Sequence, residues 1–265
     1  MNTNQLDPCP IVLCHGLFGS LSDPFLIEAF GSCSVFAPDL LGYGENMTSI
    51  SNELSLTDQA DHVIAFMDDN SIQRANLVGH SVGGAVAALI AIRQPDRVKS
   101  LISVEGNMTP ADAFWSANLS KQPIAEIQKL IDSYRFDVAT WISEAGVAAT
   151  SETVRIATDW LNHQPALTLK AQARAVVEAT SDDSGYIEHL RSRLINGLEL
   201  HLIAGENSRD NWHVPKDIEE AARSITLMHG AGHLMMLESP SAFANAVLNA
   251  ITLSLIHISE PTRPY

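Results

Sequence analysis

The chain has 265 residues, 46% of them hydrophobic, enough for one well-buried core and too apolar for a disordered chain. Its formal net charge of −15 repels nucleic-acid phosphates and anionic membrane faces, which excludes the usual electrostatic footprint of a nucleic-acid or peripheral membrane protein. The cysteines Cys9, Cys14 and Cys33 form no CxxC pair, Met1–Pro10 carries no signal-peptide pattern, and no apolar run nears the roughly 20 residues that span a bilayer, so a soluble cytoplasmic protein is expected.

Six short apolar runs mark strands. They are Ile11–Cys14, Ser34–Ala37, Ala75–Val78, Leu101–Val104, Leu198–Ala204 and Ser224–Met228, and each stops at a Gly, Pro or acidic residue or at a His-Gly pair. Helical patterns alternate with them. Leu56–Asn70 has apolar residues at Ala60, Val63, Ile64 and Met67, with Thr57 or Asp58 as the expected N-cap. Val82–Arg93, Pro215–Arg223 and Ser241–Ile251 are the others. This alternation predicts an α/β fold with a mostly parallel sheet covered by helices on both faces. Such sheets carry their chemistry at the carboxyl ends of the strands, where His15, Asp39, Ser81, Glu105 and Asp210 fall.

One interval breaks the rhythm. Residues 108–196 hold only helix-like segments, Thr109–Leu119, Ile124–Tyr134, Glu152–His163, Ala166–Thr180 and Tyr186–Ile195. That is longer than one crossover needs, so a helical cap is expected between two parts of a core domain, 1–107 and 197–252. Residues 253–265 resemble the translation of a sequencing adapter and are expected to lie outside the native fold.

Gly79-His80-Ser81-Val82-Gly83 matches G-x-S-x-G between a strand and a helix. A serine hydroxyl is a weak nucleophile and needs a base, a group that orients the base, and donors for the oxyanion. Ser81 is the expected nucleophile. His233, in Gly230-Ala231-Gly232-His233, is the expected base, with His229 a weaker candidate. The loop His15-Gly16-Leu17-Phe18-Gly19-Ser20 can aim the Leu17 N–H, or next to it that of Phe18, at the oxyanion, with the Val82 N–H as the second donor. Two carboxylates compete as the third member. Asp210 follows the penultimate strand, and Glu105 follows an earlier one. The histidines lack metal-ligand spacing, so neither metal nor cofactor is expected.

These motifs, with Pro38-Asp39-Leu40-Leu41-Gly42-Tyr43-Gly44 and Glu238-Ser239-Pro240, resemble the α/β-hydrolase superfamily, in particular its capped serine esterase branch. The resemblance spans most of residues 9–252. It implies an acid three residues after the glycine ending the penultimate strand, but Ser208 stands there; some members place the acid where Glu105 stands. Haloalkane dehalogenases and epoxide hydrolases carry Asp at the nucleophile position, so Ser81 argues against both activities. The resemblance implies hydrolysis of a carboxylic ester through an acyl-enzyme. Carbon–carbon, lactone or amide hydrolysis by the same residues stays open, as does a non-catalytic receptor of this fold. Phe114, Trp115, Leu119, Tyr134, Phe136, Trp141 and Trp160 in the cap suggest a hydrophobic small-molecule substrate or, equally, the cap's own core. Oligomeric state is not legible.

Overall fold

A computed structural model describes residues 9–50 and 53–256. All six expected strands form, as β1 (Ile11–Cys14), β2 (Val35–Phe36), β3 (Ala75–His80), β4 (Val98–Val104), β5 (Leu200–Gly205) and β6 (Ser224–Met228). They make one parallel sheet in the order β2-β1-β3-β4-β5-β6. Successive side chains feed opposite faces. Val12, Cys14, Leu77, Leu101 and Leu202 enter one apolar core, while Ile11, Leu13, Val78, Ile102 and Ile203 enter the other. This is why the central strands read as unbroken apolar runs rather than alternating ones. β6 is an edge strand and does alternate, leaving Ile225 and Leu227 about half exposed.

The first core is covered by α2 (Leu56–Asp69) and α3 (Val82–Arg93). Ser55, not Thr57 or Asp58, caps α2: its hydroxyl accepts the Asp58 N–H, and the Asp58 carboxylate accepts the Ser55 N–H. Asp58 is the reciprocal partner in that capping box, three residues inside the helix. α3 is buried over most of its circumference because alanines and glycines let it lie close to β1, β3 and β4. The second core is covered by α1 (Pro24–Ile27) and by α12 (Pro240–Ile256), with α10 (Lys216–Ala221) and α11 (Met235–Glu238) lying between β5 and α12 in the chain. Helix α12 runs through Ile256, so residues 253–256 of the segment expected to be non-native continue it; the rest of that segment, 257–265, lies outside the described residues.

Six helices fill the long interval between β4 and β5: α4 (Phe114–Lys121), α5 (Ile124–Phe136), α6 (Val138–Glu144), α7 (Ser151–Asn162), α8 (Ala166–Ala179) and α9 (Tyr186–Ile195). α6 was not foreseen; Asp137 caps it by accepting the Thr140 N–H. The group divides by packing. Residues of α4 to α7 close over the carboxyl ends of the strands, α8 packs under α4 and α5 and reaches α2, and α9 lies against α3 and α10, where Arg193 binds the Ile92 carbonyl. Among the described residues, no helix is long and apolar enough to cross a membrane.

Candidate active site

Ser81 sits between the end of β3 and the start of α3 with φ 54° and ψ −122°. A non-glycine residue rarely adopts this conformation, and the strain is held by the surrounding backbone. The Ser81 N–H donates to the Val104 carbonyl at 3.1 Å, and the Ser81 carbonyl accepts the N–H groups of Gly84 at 2.9 Å and Asn107 at 3.0 Å. The turn is this sharp because two neighbours have no side chain. A Cβ on Gly79 would overlap the Gly83 carbonyl, and one on Gly83 would overlap the Cys14 carbonyl.

The loop after β1 packs beside the serine; a Cβ on Gly16 would lie 3.2 Å from that of Ser81. Its shape is fixed from three sides. The Nε2 of buried His15 accepts the Leu40 N–H at 3.1 Å, and its Nδ1 donates to the Gly16 carbonyl at 2.9 Å. Burial pushes His15 down to about 4, which keeps the ring neutral and able to play both parts. The hydroxyl of fully buried Tyr43 donates to the Leu17 carbonyl at 2.8 Å, and the Gly19 N–H donates to Gln164 Oε1 at 3.2 Å. Leu17 is thereby held with its carbonyl turned to Tyr43, and Val82 opens α3 on the other side of Ser81. Asp39, also at a strand end, is spent on scaffolding, accepting from His163 Nε2 at 2.7 Å.

His233 follows β6, and its Nδ1 donates to Glu105 Oε2 at 2.6 Å. Glu105 is almost fully buried, and its other oxygen accepts the Gly205 N–H at 2.8 Å and the Ser208 hydroxyl at 2.5 Å. Burial pushes the carboxyl up. The hydrogen bond and charge of His233, with the bonds from Ser208 and Gly205, outweigh burial and hold it below its ordinary value. Glu105 is therefore ionised at neutral pH. Asp210 does not join this arrangement: it lies exposed on the turn Arg209–Asn211, away from His233. The physical reason is local. Ser208, at the position three residues after Gly205, turns its hydroxyl to Glu105, while the turn Arg209–Asn211 leaves Asp210 exposed and returns Asn211 and Trp212 to the cavity wall. His229 is exposed and pairs with Glu206 at 2.7 Å.

One contributor was missed in the sequence. His80, the variable residue of the pentapeptide, donates its Nε2–H to the His233 carbonyl at 3.0 Å, with the two rings 4.6 Å apart. Burial and the neighbouring His233 push it down to about 3, so it is a neutral donor that pins the histidine loop. No pattern of spacing marks that role; it follows only from the neighbouring backbone.

Ser81, His233 and Glu105 share a cavity of about 500 Å³. Phe18, Trp115, Tyr134 and Trp141 form an aromatic group on its wall, with Tyr134 stacked on Trp141 at 5.4 Å and Phe18 against both Trp115 and Trp141. Among the described residues lining it, none is Lys or Arg. Among the described residues, no cluster of three His, Cys, Asp or Glu side chains could hold a metal ion.

A family model described as alpha/beta hydrolase fold matches residues 10–188. A curated relative, the 2-hydroxymuconate semialdehyde hydrolase of Pseudomonas sp. (strain CF600), is 36% identical over 116 residues, 42% of this chain and 40% of the relative. The chain thus spans half or less of the length of the first curated relatives it matches. Among solved structures, the enol-lactonase from Burkholderia xenovorans LB400 superposes with a TM-score of 0.68 at 18% identity, covering 95% of this chain and 94% of that one. A carboxylesterase structure from Nitrososphaera gargenis superposes with a TM-score of 0.67 at 16% identity, covering 97% and 99%. At these identities the two structures speak for the fold alone.

Proposed function

Because the chain belongs to the α/β-hydrolase family, we propose that it is a serine hydrolase of neutral, hydrophobic carboxylic esters, with Ser81 as nucleophile, His233 as base and Glu105 as the acid that orients it. One observation carries the reading: the 2.6 Å bond from His233 Nδ1 to a buried carboxylate, in the same cavity as a strained serine at a strand-to-helix turn.

The bond to Glu105 keeps the proton on Nδ1 and leaves Nε2 as the atom that takes the Ser81 proton. Ser81 Oγ then bonds the acyl carbon. The Leu17 and Val82 N–H groups hold the oxyanion, with the start of α3 adding favourable dipole. Collapse breaks the bond to the alkoxide, which leaves with the proton from His233. Water enters, His233 takes its proton as the water oxygen bonds the acyl carbon, and collapse breaks the bond to Ser81 Oγ, which regains the proton from His233 as the acid is released. Glu105 stays ionised throughout and stabilises the imidazolium.

Helices α4 to α7 serve as the cap that chooses the substrate. Their aromatic lining and the lack of a lining cation favour an uncharged apolar group. None of Cys9, Cys14 and Cys33 forms a disulfide, which fits a reducing cytosol. The likeness to the muconate semialdehyde hydrolase favours a second reading, carbon–carbon bond hydrolysis by the same residues.

Turnover of p-nitrophenyl butyrate and of 2-hydroxymuconate semialdehyde by one preparation separates the two, with Ser81→Ala as control. Ester turnover lost in the variant supports the first reading. Turnover of the semialdehyde alone replaces it with the second. A single burst without turnover on either substrate points to a receptor.

A further inference from the structure

A second cavity of about 230 Å³ lies between α4 and α5, lined by Asn118, Leu119, Gln122, Glu126, Ile127 and Leu130 together with Trp115. Trp115 is the one residue common to this lining and that of the catalytic cavity. Leu119 and Ile127 are buried core residues that give it an apolar floor, and Asn118 and Glu126 stand exposed at its rim. The indole itself is only partly buried, at 37% exposure, and leans on Phe18 with ring centroids 5.6 Å apart. The Trp115 side chain thus borders both spaces.

We infer that the α4–α5 groove is an acyl-chain subsite, and that Trp115 sets the length of acyl chain the enzyme accepts. The inference rests on the ester-hydrolase reading. The chain in question is the acyl chain because Trp115 touches the oxyanion loop through Phe18. The leaving alcohol must instead lie beside His233, whose neighbour Gly232 approaches Ala145 at the far end of α6. A short acyl group fits within the catalytic cavity. A longer one meets the indole face, behind which the groove continues in the same apolar chemistry.

The test is the ratio of kcat/KM for p-nitrophenyl dodecanoate over p-nitrophenyl butyrate. Each methylene taken from water into the groove favours the longer ester by about fourfold. Trp115→Ala should raise the ratio on the order of 10² if four methylenes enter. Trp115→Phe should raise it by less. Asn118→Trp in the Trp115→Ala background fills the exposed end of the groove and should cancel the gain. An unchanged ratio in Trp115→Ala, or a gain that survives Asn118→Trp, overturns the subsite while leaving the ester reading intact. Failure of the wild type to cleave any ester overturns the ester reading and the subsite with it. Circular dichroism of each variant confirms that it is folded, and the graded Phe variant keeps the test alive if the Ala variant is not.

Discussion

Glu105→Gln isolates one oxygen. In the native site Oε2 accepts from His233 Nδ1 at 2.6 Å, while Oε1 accepts from Gly205 and Ser208. Glutamine keeps one carbonyl oxygen, and Gly205 and Ser208 both need an acceptor. The amide NH₂ therefore turns to His233 and donates where the carboxylate accepted. The imidazole must then present a bare Nδ1 and carry its proton on Nε2, so it cannot take the proton of Ser81. The charge that stabilises the imidazolium is also gone. Loss of both effects in a serine triad costs on the order of 10⁴ in kcat with little change in geometry. The assay is steady-state hydrolysis of p-nitrophenyl butyrate, with circular dichroism to confirm folding. Asp210→Asn, on the exposed turn, is the comparison and should stay within twofold of wild type. Equal losses in the two variants, or more than a tenth of the activity left in Glu105→Gln, would refute the assignment of Glu105.

Four further outcomes follow from the same geometry. Ser208→Asp alone should impair activity, because it sets a second carboxylate against Glu105 Oε1; combined with Glu105→Gln it should recover part of the lost kcat by supplying an acid from the β5 loop. Ser81→Gly should melt higher than Ser81→Ala, by about 1 kcal/mol of relieved strain at φ 54°, while both are inactive; equal melting temperatures would contradict the strain. Because the Glu105 carboxyl is held below its ordinary value in the folded protein, its contribution to stability is present above the usual carboxylate range and is lost as pH falls through the folded value; an acid titration of unfolding should therefore be shallower in Glu105→Gln than in wild type. Truncation after Ile256 should leave both melting temperature and ester turnover unchanged, and loss of soluble protein would count against a non-native tail.

The strands were legible because parallel central strands are buried on both faces, and Val12, Leu77 and Ile102 announce this without periodicity. The strained turn at Ser81, the proposed nucleophile, was legible because its glycines answer to a local steric demand. The carboxylate partner of His233 was not, because the choice between Glu105 and Asp210 depends on where two strand-end loops meet, and that distance is not encoded locally. Ser208 held the clue: a hydroxyl where a carboxylate is expected has to find an acceptor, and the acceptor is Glu105. The α2 cap was misplaced by two or three residues for a similar reason. Ser55 and Asp58 are both good capping residues, and only their reciprocal bonding tells which one is outside the helix. His80 was invisible because its partner is a backbone carbonyl more than 150 residues away.

Strand β4 lies directly beside β3, paired in register from Asn76 with Ser100 to His80 with Val104, after a shift at Ala75. Ser81 and Glu105 thus ride on the ends of two hydrogen-bonded neighbours at the centre of the sheet, like two jaws on one casting. Breathing between β4 and β5, or rebuilding of the loop after β5, leaves their spacing alone. That loop supplies the Ser208 hydroxyl to Glu105, two wall residues in Asn211 and Trp212, and the Asn207 bonds to the loop after β6, so its changes act on the wall of the cavity and on the setting of His233. The histidine instead reaches the site from the loop after β6, and it is fixed there twice over, by His80 at its carbonyl and by Glu105 at its ring.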